Sequence, residues 1–241
     1  MCLDGANPSA RRTEIFREDA SPLAMSDATL VVHEIYKSIQ GESSFAGQPC
    51  TFVRLTGCNL RCSWCDTPQA FHEGTRLPLD EIVSAVQSHD TLLTEITGGE
   101  PLLQQACLPL MARLCDQGKQ VLLETSGERD ISVVDARVHR IVDFKAPGSG
   151  ECHRNRWENV SHLTQQDEVK LVIQDQEDYE WGKTIIADHA LAQRVKCVWL
   201  SPVHGVMPAD VLVQWLLTDK LPVRVQLQIH KYIWGANARG V

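Results

Sequence analysis

The 241-residue chain has no apolar run approaching the roughly 20 residues that cross a bilayer as a helix, so a helical membrane span is not expected. It also lacks a basic excess. Lys and Arg number 23 against 31 Asp and Glu, a formal charge of −8, so attraction to nucleic acid through a basic face is not expected. The first 28 residues have no apolar stretch of the kind a secretion signal needs. Arg11, Arg12, Glu14, Arg17, Glu18 and Asp19 crowd it instead. Residues 1–28 therefore read as a disordered extension, with Met25 as an alternative start, and 29–241 as one ordered domain. Internal repeats and low-complexity segments are absent.

Cysteine, by contrast, is well represented. There are nine, an odd number, and without a secretory signal a disulfide framework is not expected. Metal binding or catalysis is the better use, with the cytoplasm as the expected compartment. Cys2, Cys50, Cys107, Cys115, Cys152 and Cys197 are scattered and read as small packing residues. The other three fall together.

Apolar residues make up 43% of the chain, enough for a full core. Strand-like runs occur at 30–39, 50–56, 92–97, 120–124, 140–145, 168–173, 196–200 and 222–229. Helical spacing fills 79–88, 102–117, part of 176–193, and 208–217. Strands alternating with helices imply an α/β fold with a parallel sheet. About six βα units follow an N-terminal strand pair, too few for a closed eight-fold barrel. Ligands of such sheets bind at the carboxyl ends of the strands, and the motifs below all follow strands.

The three clustered cysteines are Cys58, Cys62 and Cys65, in the spacing C-x3-C-x2-C. Three thiolates on one short loop can bind three irons of a [4Fe–4S] cubane and leave the fourth iron open. An open iron can chelate the amino and carboxylate groups of S-adenosylmethionine, whose reductive cleavage yields a 5′-deoxyadenosyl radical. On spacing alone a zinc site remains open, with His72 as the fourth ligand.

Cys58, Cys62 and Cys65, followed by Thr97-Gly98-Gly99-Glu100-Pro101, resemble the radical S-adenosylmethionine superfamily. Further runs are similar to one of its families, 7-carboxy-7-deazaguanine synthase. They are Ser38-Ile39-Gln40-Gly41-Glu42, Phe52-Val53-Arg54, Cys65-Asp66-Thr67, Glu124-Thr125-Ser126-Gly127 and Gln228-Ile229-His230-Lys231-Tyr232. The resemblance covers about residues 30–241. It implies an incomplete, distorted (β/α) barrel, a homodimer, and a radical ring contraction of 6-carboxy-5,6,7,8-tetrahydropterin with loss of ammonia. Mg²⁺ assists, and an electron donor such as a flavodoxin or ferredoxin supplies the reducing equivalent.

The resemblance also assigns residues. Cys58, Cys62 and Cys65 would hold the cluster, and Thr67 the Mg²⁺. Trp64, Cys65, Asp66, Gly99, Glu100, Asp143, Phe144, Lys145, Ser201, Pro202, Val203 and His204 would contact S-adenosylmethionine. Ile39, Gln40, Gly41, Arg54, Thr97 and the terminal Val241 would contact the pterin. One departure is Ser43, where the family often has glycine.

Each residue has a plainer reading beside this one. Arg54, whose planar fork suits a substrate carboxylate, could form an ordinary salt bridge. Gln40, whose amide suits a pterin edge, could belong to a turn. Asp66-Thr67 could be a cap, and His230-Lys231 a solvated basic pair. The competing functions are an activating enzyme that takes hydrogen from a partner protein's glycine, and a zinc-binding interaction module.

Overall fold

The computed structural model describes residues 28–241. The expectation for 1–28 therefore lies outside the described residues except at Ala28, which packs against the core. The elements in order are β1 (Thr29–Ile39), β2 (Pro49–Leu55), β3 (Thr75–Pro78), α1 (Leu79–Ser88), β4 (Leu93–Gly98), α2 (Cys107–Asp116), β5 (Gln120–Thr125) and β6 (His139–Asp143). Then come β7 (Glu168–Ile173), α3 (Gln176–Asp188), α4 (Leu191–Arg194), β8 (Cys197–Pro202), α5 (Ala209–Asp219), β9 (Arg224–Val225) and α6 (Ile229–Trp234).

All nine strands form one sheet in the order β3-β1-β2-β4-β5-β6-β7-β8-β9. The β3-β1-β2 end is antiparallel. From β2 onward every pairing is parallel. The sheet does not close on itself, so the architecture is the expected incomplete barrel, with β3 and β9 as its edges.

Three sequence expectations are corrected. The helix expected over 102–117 is broken: Pro101–Leu103 is a 3-10 turn and the α-helix starts at Cys107. Pro109 has no N–H to donate and is confined to the first turn of α2, so the helix cannot run back through 102–106, and there the Gln104 side chain bonds Val31 N at 2.8 Å and the Val31 and Thr56 carbonyls at 2.9 Å. The strand expected over 222–229 shrinks to two residues, because the chain leaves the sheet and turns Gln226 and Gln228 toward Glu42. Strand β3, which pairs with β1, was not expected.

Side-chain alternation sorts the sheet's two faces. Outward residues of β2, β4 and β5 (Val53, Leu55, Ile96, Val121, Leu123) bury against Ile82, Val86, Leu110, Met111 and Leu114 of α1 and α2. Those of β6, β7 and β8 (Val142, Val169, Leu171, Val198, Leu200) bury against Tyr179, Ile185, Ile186 and Leu212 of α3 and α5. Inward, Phe52, Leu93, Leu122 and Ile141 make a smaller cluster with Phe45. Phe45 lies on a 3-10 turn, Ser43–Phe45, which plugs the amino-terminal end of the strands. There the buried Glu168 carboxylate accepts Ser44 N at 3.1 Å and Trp199 Nε1 at 2.6 Å, and meets His139 Nε2 at 3.0 Å. The plug leaves the carboxyl end as the open mouth.

Candidate active site

Two residues beyond each inward apolar position the pattern turns polar. Phe52 is followed by Arg54, Leu93 by Glu95, Leu122 by Glu124 and Ile141 by Asp143. Lys170 of β7 completes this layer, beside Asp143 in register. Above it opens a cavity of about 990 Å³. Every site residue predicted from the sequence lines that cavity except Glu100 and Phe144.

The side chains of those two are buried behind the lining. Phe144 is fully buried and stacks on Trp157, ring centres 5.1 Å apart. Glu100 is also fully buried, and its carboxylate accepts Leu102 N, Thr125 Oγ1, Ser126 N and Ser126 Oγ at 2.7–2.9 Å. With both oxygens so used, it ties the Gly-Gly-Glu-Pro turn to the end of β5.

The cysteine loop is seated directly on that turn. Glu100 N donates to Gly57 O at 2.8 Å, and Gly99 N to Leu55 O at 3.2 Å. A Cβ on Gly99 would lie 2.2 Å from Gly57 O and 2.8 Å from Cys58 Cβ, so only glycine allows this approach. From the far side Glu151 Oε1 accepts Arg61 N at 2.6 Å, and Ser63 Oγ donates to Gly148 O at 2.8 Å. Arg61 lies over the Phe71 ring at 4.2 Å.

Cys58, Cys62 and Cys65 all face the cavity as free, half-buried thiols. Burial pushes the Cys58 and Cys62 thiols up, Cys62 to about 11, while the Lys145 ammonium pulls both back. Metal assembly must therefore displace protons from them. Among the described residues, no three His, Cys, Asp or Glu gather around a position for a single ion. The donor set fits a cubane, in which each thiolate takes its own iron, better than mononuclear zinc. His72 is not drawn in as a fourth ligand.

On the wall beside the loop, Asp143 Oδ2 bonds Lys145 Nζ at 2.9 Å. Its Oδ1 is buried with no partner. An orphaned acceptor on a cavity wall is a costly feature that a bound donor would relieve. The backbone from Ser201 to His204 flanks the same region.

Asp143 also belongs to the charged layer. Lys170 Nζ pairs with Glu124 and with Glu42 Oε2 (3.2 Å), and lies 3.7 Å from Asp143 Oδ2. Burial pushes Glu124 up, but the Lys170 ammonium prevails and holds its carboxyl below the usual range. Glu95 goes the other way: burial, then the Glu124 and Glu42 charges, raise it well above that range. Glu42 also accepts Gln226 Nε2 at 2.9 Å and Gln228 Nε2 at 2.8 Å.

Arg54 Nε donates to Glu34 at 2.8 Å and its Nη2 to Tyr36 Oη at 3.1 Å, and Tyr36 stacks on Phe52 with ring centres 5.0 Å apart. The plain salt bridge and the cavity-facing role thus coexist. The Gln40 amide is held at both ends: Nε2 donates to Glu95, and Oε1 accepts Glu42 N at 2.9 Å. Gly41 is required by His230, whose Nδ1 would lie 2.0 Å from a Cβ there.

Thr67 Oγ1 donates to Asp66 Oδ1 at 3.1 Å, and Asp66 Oδ2 accepts Lys231 Nζ at 2.9 Å and Gln228 Nε2 at 3.1 Å. Burial would raise the Asp66 carboxyl; the Lys231 charge and these bonds hold it below the usual range instead. Residues 236–241, ending at Val241, line the cavity's rim.

Sequence reading missed Lys170, Glu95, Glu34 and Tyr36. The available signal was a polar residue at an inward strand position, visible only once strand parity is known.

Comparison with known proteins agrees with this geometry. The Radical SAM superfamily profile matches residues 52–144. A 7-carboxy-7-deazaguanine synthase of Chlorobaculum tepidum is 46% identical over 219 residues, covering 90% of this chain and 99% of that protein. One from Koribacter versatilis is 46% identical over 224 residues, covering 87% and 99%. The crystal structure of QueE from Escherichia coli has the same fold, with a TM-score of 0.69, 20% identity, and coverage of 83% of this chain and 94% of that one.

Proposed function

Because the chain belongs to the 7-carboxy-7-deazaguanine synthase family of radical S-adenosylmethionine enzymes, we propose how its cavity divides the work of that reaction. The reaction is a lyase step, the ring contraction of 6-carboxy-5,6,7,8-tetrahydropterin with loss of ammonia, in the route to queuosine and other 7-deazapurines. The observation that carries the division is one cavity lined both by the three thiols and by a fixed polar layer.

Cys58, Cys62 and Cys65 hold a [4Fe–4S] cluster. When bound, the cluster and S-adenosylmethionine supply the electron and the hydrogen abstraction that begin the ring contraction. The residues assigned here to the cofactor are Trp64, Asp66, the Gly99 backbone, Asp143 through its orphaned oxygen, Lys145, and the Ser201–His204 segment. Phe144 and Glu100 support them from behind.

In the polar layer, Arg54 meets the substrate carboxylate. Its Nε and one face of Nη2 are already anchored, so the guanidinium is held in place before substrate arrives. Gln40, the Ile39–Gly41 backbone, Thr97 and the Val241 carboxylate contact the bicyclic ring. Thr67 would offer its hydroxyl to a Mg²⁺ beside the substrate, and such an ion, when bound, would supply template and Lewis-acid chemistry.

A flavodoxin- or ferredoxin-type donor, a homodimer and a cytoplasmic setting complete the reading. Support for the last is that none of the cysteines among the described residues is in a disulfide. For the dimer it is the exposed Tyr232, Ile233 and Trp234 on α6. Anaerobic turnover with the pterin, reductant and S-adenosylmethionine, with mass spectrometry of the product, tests the activity. Appearance of the ring-contracted acid is the expected result.

A further inference from the structure

Within the polar layer, Glu95 is accounted for neither by the sequence motifs nor by the division of labour above. It sits on β4, in register with Phe52 on one side and Leu122 on the other, so its side chain rises from the apolar floor of the cavity. It is 2% exposed yet lines the cavity. A buried carboxyl with no cation beside it is unfavourable unless something repays its desolvation. Lys170, which neutralises its neighbours, makes no ion pair with Glu95. The hydrogen-bond partner of its carboxyl among the described residues is the Gln40 amide, which meets Oε2 and leaves Oε1 for a ligand.

The strand order fixes which part of a substrate would reach it. Arg54 and Thr97 are paired across β2 and β4, two residues nearer the mouth than the Phe52–Glu95 pair. The cysteine loop begins just above them, at Gly57. A flat bicyclic substrate with its carboxylate at Arg54 and its reacting carbon toward the cluster points its far edge down at Glu95. In a pterin that edge carries the 2-amino group, flanked by N3–H on one side and N1 on the other.

We propose that Glu95 is a specificity-determining residue of the pterin reaction, taking the 2-amino edge of the substrate at the cavity floor beside the Gln40 amide. The assignment rests on the substrate given above. As a carboxylate, Glu95 accepts from the 2-amino group and N3–H together. As a neutral acid, it accepts from the 2-amino group and donates to N1. The 2-amino group is common to both pairings, so recognition does not depend on the protonation state. Gln40 keeps its orientation because Glu42 N–H fixes its oxygen end.

The test compares the natural pterin with its analogue carrying oxygen in place of the 2-amino group, using cluster-loaded wild-type, Glu95→Met and Glu95→Asp proteins. Wild type should prefer the pterin strongly. Glu95→Met keeps the length of the side chain and removes both the acceptor and the acid proton, whereas an amide would reproduce the pairing of the neutral acid. It should lose about tenfold to a hundredfold in pterin affinity, the size of one hydrogen bond to a charged group, and most of its preference over the analogue. Its iron content should stay close to wild type. Glu95→Asp, with the carboxyl one methylene short, should retain part of the preference; this keeps the test informative if Glu95→Met loads its cluster poorly. A full wild-type preference in either variant, or equal loss toward both ligands, would overturn the proposal while the activity stood. Failure of wild type to convert the pterin would overturn the activity itself, and the proposal with it.

Discussion

On one side of the cavity, Cys58, Cys62 and Cys65 come from eight consecutive residues. On the other, Arg54, Glu95, Glu124, Asp143 and Lys170 come from five different strands. The first wall is a local object. Its loop is held by a handful of backbone bonds to the Gly-Gly-Glu-Pro turn, and its thiols are half-exposed. The second is a product of the whole sheet: its charges meet only because parallel pairing brings alternate inward positions together, and Glu95, Asp143 and Lys170 among them are buried. The local wall should therefore fail in function while the fold survives. The sheet-built wall should fail in stability and function together.

The largest effect tests the first half of that contrast. Cys58→Ala, Cys62→Ala or Cys65→Ala should abolish iron loading and reductive cleavage of S-adenosylmethionine, with little change in secondary structure. Cys107→Ala and Cys197→Ala, on the helical side and at the floor, should leave both intact. Iron analysis and cleavage assays read the outcome. A cluster-replete Cys62→Ala protein with normal cleavage would contradict the assignment.

Lys170→Met tests the other half. Removing the ammonium leaves Glu42, Glu124 and Asp143 facing one another without their shared counter-charge. Breaking a buried ion pair from one side costs about 3–5 kcal/mol. The pH dependence follows from Glu124. In wild type its carboxyl is held below the usual range, so its contribution is present above the unfolded pKa and fades as pH falls through the folded one. Without Lys170, burial is left to raise Glu124 as it already raises Glu95. Such a group costs stability as pH rises and relaxes on protonation. The deficit of Lys170→Met should thus be widest near neutrality and narrow toward pH 5. Denaturant midpoints at the two pH values measure it; a constant deficit would mean that the loss is one of packing.

The same contrast explains what the sequence revealed. The cysteine spacing, the Gly-Gly-Glu-Pro turn and the alternation of strands and helices are short-range patterns, legible without knowing what lies across the sheet. Lys170 and Glu95 were not legible, because each sits in an apolar, β-branched run where a single charge reads as an edge or surface position. Only pairing to neighbours on both sides shows that they point inward. The two-residue β9 was misjudged for a related reason. Its apolar alternation is genuine, but Gln226 and Gln228 bond Glu42 across the mouth instead of extending the ladder. Glu100 and Phe144 lie in motifs legible from the sequence but their side chains are buried away from the cavity, since a motif does not say which of its side chains face outward from the fold's interior.

Arg54 belongs to both walls in part, since it is strand-borne but lies next to the cluster loop. Arg54→Ala should weaken pterin binding by about 1.5–3 kcal/mol, the range for a hydrogen bond to a charged group. Arg54→Lys should recover only part of this, because a compact ammonium lacks the planar fork that bonds Glu34 and Tyr36 while still facing a carboxylate with two parallel N–H groups. Equilibrium binding of the pterin to cluster-loaded protein gives the result. Unchanged affinity in Arg54→Ala would leave the residue as a bridge between β1 and β2 and nothing more.

The smallest effect is expected at Thr67, where the two walls meet. Its hydroxyl makes one hydrogen bond, to Asp66 Oδ1, and Asp66 is independently held by Lys231 and Gln228. Thr67→Val keeps the branched shape and removes the hydroxyl, so the turn should persist at a cost of about 1 kcal/mol or less. If Thr67 is a Mg²⁺ ligand, iron content and S-adenosylmethionine cleavage survive while product formation falls and no longer responds to Mg²⁺. If the hydroxyl only closes the turn, stability and iron loading fall slightly together. Activity per intact cluster then keeps its full Mg²⁺ response. Product per cluster, titrated against Mg²⁺ in both proteins, separates these. The reading is lost if the two titrations superimpose, because a hard ion that prefers octahedral oxygen ligands would not ignore the loss of one of them.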